Sequence, residues 1–176
     1  WYWNFGDGST DSVHYPKHKY LTPGTYTVRF ALISNVGCLS DTASFPITIT
    51  AVPNAKFGIL SPFCQGKSIT FSDSSVAFAP SSLTKWYWDY GDGFTVIRTT
   101  NTDTIHTYVS AGNKIVTLRV ETNSGCQSSL FTKTIYISPN PIADFILPPG
   151  ICLPADSAHF VDASTIADGT QNSFGY

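Results

Sequence analysis

Charge is scarce in this 176-residue chain: only 12% of residues are charged and the formal net charge is −2. Without a basic stripe there is nothing to neutralise a phosphate backbone, which excludes nucleic acid as a partner. Long apolar runs are missing as well. No stretch approaches the roughly 18 to 20 residues that a membrane-spanning helix needs, so no membrane insertion is expected in this segment. No Asn-x-Ser/Thr acceptor occurs, no Gly-x-Ser-x-Gly turn presents a nucleophile, and no window carries the 3.6-residue period of an amphipathic helix. There is no leader segment either, and in a chain expected to begin inside a repeat that absence carries no information.

What remains is strand. Tyr26, Val28, Phe30 and Leu32 alternate with Thr27, Arg29 and Ala31, and Val116, Leu118 and Val120 alternate with Thr117 and Arg119. A period of two with one polar face describes a half-buried antiparallel strand. Trp86, Trp88 and Tyr90 share a face destined for a core, while Tyr87 and Asp89 point the other way. Gly and Pro punctuate these segments as turns between short strands require.

The strands recur. Trp1-Tyr2-Trp3-Asn4-Phe5-Gly6-Asp7-Gly8 returns as Trp86-Tyr87-Trp88-Asp89-Tyr90-Gly91-Asp92-Gly93, and each copy is followed by His-x-Tyr and Gly: His18, Tyr20 and Gly24, then His106, Tyr108 and Gly112. Ala55-Lys56-Phe57 likewise matches Ala143-Asp144-Phe145, Cys64 matches Cys152, and Phe71 to Ser75 matches Phe160 to Ser164. Self-similarity at this period marks an array of domains.

The Trp-x-Phe-Gly-Asp-Gly turn with His-x-Tyr, Gly and an alternating strand resembles the signature of the PKD domain. The residues are Trp3, Gly6, Asp7 and Gly8, and in the second copy Trp88, Gly91, Asp92 and Gly93, which departs at Tyr90 and at Lys114. The resemblance implies an all-β fold of tandem immunoglobulin-like β-sandwiches, with about seven strands per complete unit. On this reading, residues 1–52 are the C-terminal part of one unit, 53–138 a complete domain, and 139–176 the N-terminal part of a following unit. The half units are expected to leave apolar faces open. The junctions Val52-Pro53-Asn54 and Ser138-Pro139-Asn140-Pro141 carry prolines that stiffen the connection.

Four cysteines follow the repeat, one early and one late in each unit. This pairs Cys64 with Cys126 in the complete unit and leaves Cys38 and Cys152 with partners outside the chain. The alternatives are two bridges within the chain or four unpaired thiols. An oxidising extracellular setting favours bridges, and a 61-residue loop closed by Cys64–Cys126 contributes roughly 3 to 4 kcal/mol on chain-entropy grounds.

Asp73, Asp89 and Asp92 offer hard oxygen donors for Ca²⁺, but glycines flanking an aspartate are also what a tight turn requires. The turn is the favoured reading, and no cofactor is assigned. His18 and His106 each lie on the same strand face as a Tyr, with no second ligand at metal spacing; a structural role is expected, with no catalytic or metal residue. Tyr87, on the outer face, is a candidate for stacking on a sugar ring. Asp-Ser/Thr-aliphatic triplets recur at Ser12, Thr42, Thr104 and Ser157. They resemble the O-glycosylation acceptor of exported Bacteroidetes proteins; accidental composition and local aspartate turns are the alternatives.

The Gly-Cys endings, Gly37-Cys38 and Gly125-Cys126, resemble PKD repeats of large Bacteroidetes surface proteins, including the gliding-motility adhesins exported by type IX secretion. The function this implies is a non-catalytic segment of an extracellular, cell-surface adhesin or stalk filament. Its partners would be neighbouring PKD-like units of the same chain, and surface polysaccharide or other cell-envelope proteins. An accessory polymer-binding or spacer module of a secreted hydrolase is the alternative, and a filament whose half-domains are completed between chains is a third.

Overall fold

The structure, a computed structural model, describes residues 1–60, 62–147 and 157–167. Among these there are thirteen strands and no helix. Residues 1–52 hold β1 (Tyr2–Asn4), β2 (Thr10–Asp11), β3 (Gly24–Ala31) and β4 (Ala43–Ile49), which form one antiparallel sheet in the order β2-β1-β3-β4. Seven strands follow: β5 (Phe57–Leu60), β6 (Ser68–Asp73), β7 (Leu83–Asp89), β8 (Thr95–Arg98), β9 (Thr104–Thr107), β10 (Gly112–Thr122) and β11 (Phe131–Ile137). They divide into a four-stranded sheet, β11-β10-β7-β8, and a three-stranded sheet, β5-β6-β9. The all-β, immunoglobulin-like reading of the sequence holds, including the strand number of the complete unit.

The core of the seven-stranded sandwich is aromatic. Phe57, Ile69 and Phe71 face inward from the three-stranded sheet, and Trp86, Trp88, Tyr90, Val116 and Leu118 from the four-stranded one, all buried. Phe57 meets Trp88 with ring centroids 5.0 Å apart, and Phe71 meets Tyr90 at 5.1 Å, both edge to face. That geometry brings the positive edge of one ring to the negative face of the other. The Trp86 indole N–H would be stranded by such burial, and it donates to Asp73 Oδ2 at 2.8 Å across the sheets.

Alternation along β10 places Lys114, Val116, Leu118 and Val120 inside. The equivalent strand β3 alternates too, but Tyr26, Val28 and Phe30 are only half-buried. Trp1 is 49% exposed where its counterpart Trp86 is 4%, and Leu32 is 44% exposed where Val120 is 0%. Leu32 falls one residue beyond β3, which ends at buried Ala31, so the inward series read from the sequence stops at Phe30. Apolar side chains of residues 1–52 thus stand open where their counterparts Trp86 and Val120 are covered.

A last pair, β12 (Phe145–Ile146) and β13 (Val161–Asp162), repeats the register of β5 and β6: Phe145 opposes Asp162 as Phe57 opposes Asp73. Compactness does not follow the sequence repeat. One compact unit gathers residues 1–55, 75–85 and 120–129, and the other gathers 56–74, 86–119 and 130–176.

Two of the four cysteine expectations concern pairing in the complete unit, and here the structure corrects the sequence. Among the described residues no disulfide joins Cys38, Cys64 or Cys126 to another cysteine of this chain; Cys152 lies outside the described residues. Cys64 is bridged to Ser138, one residue beyond the Gly112–Ile137 pair at the open end of the β10–β11 hairpin. Cys126 lies in the closed turn of that hairpin, beside the Glu121–Gln127 bridge. From Gln127 to Ser138 the chain advances eleven residues, the seven of β11 among them, on the order of 30 Å at strand rise. A disulfide needs Cα atoms within roughly 7 Å, so Cys64 and Cys126 cannot bond to each other in this fold.

Truncating a core ring should separate closed from open faces. Phe71→Ala, at a fully buried position, is expected to cost about 3–5 kcal/mol in denaturant unfolding. Phe45→Ala, in β4 and 71% exposed, should change stability by less than about 0.5 kcal/mol. Equal losses would contradict the burial described.

Candidate functional site

The signature turn is built twice with the same geometry. In the second copy the chain leaves β7 at Asp89, whose Oδ1 accepts the Gly91 N–H at 2.9 Å, and Asp92 Oδ1 then accepts the Phe94 N–H at 3.1 Å. In the first copy Asn4 Oδ1 accepts from Gly6 at 2.9 Å, and Asp7 Oδ1 from Ser9 at 3.0 Å. Gly91 has φ +75° and Gly6 has φ +82°, the left-handed region that glycine enters without strain. Space is the stricter demand. A Cβ on Gly91 would collide with the backbone of Ile115 in β10, and one on Gly6 would stand 2.7 Å from the Thr27 carbonyl oxygen in β3.

With the turn held that close, the second aspartate points at the histidine. Asp92 Oδ2 lies 2.7 Å from His106 Nε2, and Asp7 Oδ2 lies 2.7 Å from His18 Nε2. A carboxylate can only accept, so Nε2 carries the proton. His106 belongs to β9 and Asp92 to the β7–β8 turn, so this pair ties the two sheets of the sandwich together. The imidazole also stacks on a ring, His106 on Tyr90 at 4.2 Å and 12°, His18 on Phe5 at 4.1 Å and 8°. Two residues further on, the Tyr108 hydroxyl donates to the Tyr90 carbonyl at 2.9 Å, and Tyr20 to the Phe5 carbonyl at 2.9 Å. Burial pushes the Tyr108 hydroxyl well above its ordinary range, which keeps it a donor.

Both carboxyls titrate low. Hydrogen bonds from the Ser9 hydroxyl and then from His18 bring Asp7 down to about 2. At Asp92, partial burial pushes upward, but the hydrogen bonds from His106 and from the Phe94 N–H outweigh it and leave the carboxyl below its usual value.

The candidate Ca²⁺ donors are thus engaged elsewhere: Asp73 with the Trp86 indole, Asp89 with Gly91, Asp92 with His106 and Phe94. Among the described residues no three His, Cys, Asp or Glu side chains are grouped to hold a metal. The arrangement is a structural latch.

Sequence reasoning gave each histidine a structural role but did not connect it to the aspartate. The signal was there in the constant company that Gly-Asp-Gly and His-x-Tyr keep in both copies. The two departures in the second copy also have partners. The Tyr90 hydroxyl shares a 2.8 Å hydrogen bond with Thr104 Oγ1, whereas the first copy pairs Phe5 with Pro16 at the same repeat positions. Lys114 sits where Tyr26 stands. Its Nζ is 5.8 Å from the centre of the Tyr108 ring, and the Tyr26 ring stacks on Tyr20 at 4.4 Å.

Of the glycosylation candidates, Ser12, Thr42 and Ser157 are exposed. Thr104 is 1% exposed, with its hydroxyl bonded to Tyr90 and reached by Arg98 Nη2 at 3.3 Å. A buried, engaged hydroxyl is closed to a glycosyltransferase, so Thr104 is withdrawn as an acceptor in the folded protein. Asp11 Oδ1 accepts the N–H groups of Ser12 and Val13, a local aspartate turn. Tyr87 is half-buried and borders a shallow outer groove of about 350 Å³ with Trp88, Ile97, Arg119 and Leu130.

The sequence matches the PKD domain family over residues 1–49 and again over 50–138. Similar solved structures include the PKD1 domain of Vibrio anguillarum Epp, with 22% identity over 51% of this chain and 96% of that one, TM-score 0.43. The PKD1 domain of the Vibrio cholerae metalloprotease PrtV has 24% identity over 49% and 98%, TM-score 0.42. A structure described under the promiscuous specificity of β-sandwich carbohydrate-binding modules has 28% identity over 50% of this chain and 35% of that chain, TM-score 0.45.

Two outcomes test the latch. Gly93→Ala, where φ is +90° and the surrounding space is open, should cost about 1–2 kcal/mol from backbone conformation alone. Gly91→Ala should cost clearly more, because the Ile115 backbone must also move; equal costs in thermal melts would refute the close approach. Asp92→Asn should lower the melting temperature at pH 7. A carboxyl with a depressed folded pKa contributes stability above its unfolded value near 3.9 and loses it as pH falls through the folded value. The gap between Asp92→Asn and the parent should therefore narrow as pH drops below about 4.

Proposed function

The chain belongs to the PKD domain family, whose members are commonly non-catalytic modules of secreted or surface proteins, and on that premise we propose that it is a segment of a large cell-surface adhesin or stalk. In this reading residues 1–52 are the end of one unit, 53–138 a complete unit and 139–176 the start of another. The array spaces and presents adhesive parts away from the cell. The tandem order carries the reading: two consecutive family matches, followed by β12 and β13 in the register of β5 and β6. A chain whose polar groups are spent on holding sheets together, with the Asp–His pairs used as latches, suits a mechanical role better than a chemical one.

The finer assignment is to the adhesins of gliding Bacteroidetes exported by the type IX route. It is supported by the Gly-Cys turns and by the exposed Asp-Ser/Thr triplets at Ser12, Thr42 and Ser157. Surface polysaccharide or envelope proteins are the partners this implies.

Antibody raised against residues 53–138 should decorate long fibres on intact source cells in electron micrographs. Label found only in the medium, together with a hydrolase, would replace this reading with that of an accessory module. Glycopeptide mapping of protein from the same cells should find sugar on at least one of Ser12, Thr42 and Ser157 and none on Thr104. Three bare exposed hydroxyls would end the glycosylation proposal.

A further inference from the structure

We propose that the cysteines of this array bond between successive repeats: Cys126 to a cysteine at the Cys64 position of the preceding repeat, and Cys64 to a cysteine at the Cys126 position of the following one. The inference rests on the tandem reading above. It begins from the strand registers. Gly24 pairs with Ile49 in the first repeat as Gly112 pairs with Ile137 in the second, so Thr50 occupies the place that Ser138 holds one repeat later. The backbone of Ser138 is taken up by the Cys64 segment: Gln65 N–H donates to the Ser138 carbonyl at 2.9 Å, and Ser138 N–H donates to the Phe63 carbonyl at 2.8 Å. A repeat that carries its early segment therefore sets a cysteine beside the residue at the Thr50 position.

Cys126 is already there. Within the compact unit of residues 1–55, 75–85 and 120–129, Thr50 Oγ1 lies 3.2 Å from Cys126 Sγ and 3.2 Å from Ser124 Oγ. Neighbouring strands run about 4.8 Å apart, within the Cα separation that a disulfide spans. One thiol paired with Thr50 and another in van der Waals contact with it are close enough to bond, whereas Cys64 and Cys126 of one repeat are a hairpin length apart. The hydrogen bonds from Thr50, Ser124 and Thr122 hold the Cys126 thiol below its ordinary range, which favours the thiolate that attacks in exchange.

The first repeat shows the same turn. Ser34 N–H donates to the Cys38 carbonyl at 2.9 Å and Cys38 N–H to Ser34 Oγ at 3.0 Å, as Thr122 N–H and Cys126 N–H do at 3.0 and 3.2 Å. Cys38 is exposed in an open cleft of about 570 Å³ lined by Trp1, Leu32, Ile33 and Leu39. On this scheme an earlier repeat's cysteine reaches it there.

In bond formation two S–H bonds are lost and one S–S bond is made. The two electrons and two protons pass to a disulfide oxidant, protein-borne or small-molecule, which is itself reduced to two thiols.

Protein purified from its source after acid quenching and alkylation should be digested with trypsin without reduction. Peptide 120–133 should appear bonded to an early-position cysteine peptide of another repeat, and peptide 57–67 to a late-turn one. A 57–67 to 120–133 bond in monomeric protein, or alkylated thiols at both positions, would overturn the inference. Alkylated thiols alongside fibre labelling of cells would do so while leaving the tandem reading intact. Thr50→Cys in the 176-residue chain supplies an independent check on the geometry. With oxidised glutathione it should become two hydrogens lighter, and Cys126→Ser should abolish that loss. An unchanged mass would overturn the placement.

Discussion

The close approach of the Gly-Asp-Gly turn to the neighbouring strand is the constraint on which the rest of the sandwich depends. Aromatic burial drives the two sheets together, but that force is non-directional and tolerates sliding. Direction comes from polar groups at the edge. Because Gly91 has no side chain, its backbone can press against Ile115, and the turn folds back far enough for Asp92 to reach His106 on the opposing sheet. The imidazole in turn covers Tyr90, and Tyr108 closes on the Tyr90 carbonyl. One achiral residue thus sets the relative position of β7, β9 and β10.

The two copies show which parts of this device are geometric and which are interchangeable chemistry. The glycines, the aspartate–histidine pair and the tyrosine bond recur with nearly equal distances. The ring under the imidazole is Phe5 once and Tyr90 once, and the extra hydroxyl is accepted only because Thr104 replaces Pro16. Lys114 for Tyr26 preserves a contact with the tyrosine ring by exchanging stacking for a cation over its face. Any group buried at this edge must find a partner, and the second copy has changed such groups in pairs.

Much of this was legible in the residues. Alternation at Val116, Leu118 and Val120 and the shared face of Trp86, Trp88 and Tyr90 placed the core correctly, because a strand's two faces follow from its period alone. The glycines identified their turns. Thr104 misled because an acceptor triplet is a local pattern, while burial is decided by Tyr90, fourteen residues away. Cysteine counting misled in a different way. The repeat shows that each unit has two thiols but not at which end of the sandwich each lies, and the β10–β11 register puts them at opposite ends.

The sequence by itself determined the class of fold, the period of the array and the turns, since these rest on side-chain alternation and on residues that only certain backbone conformations accept. The tertiary structure alone decided the pairings: aspartate with histidine, Tyr90 with Thr104, Cys126 with Thr50. Pairing depends on where strands begin, end and cross in space, and a chain that returns from another sheet brings together groups whose separation along the sequence carries no record of it.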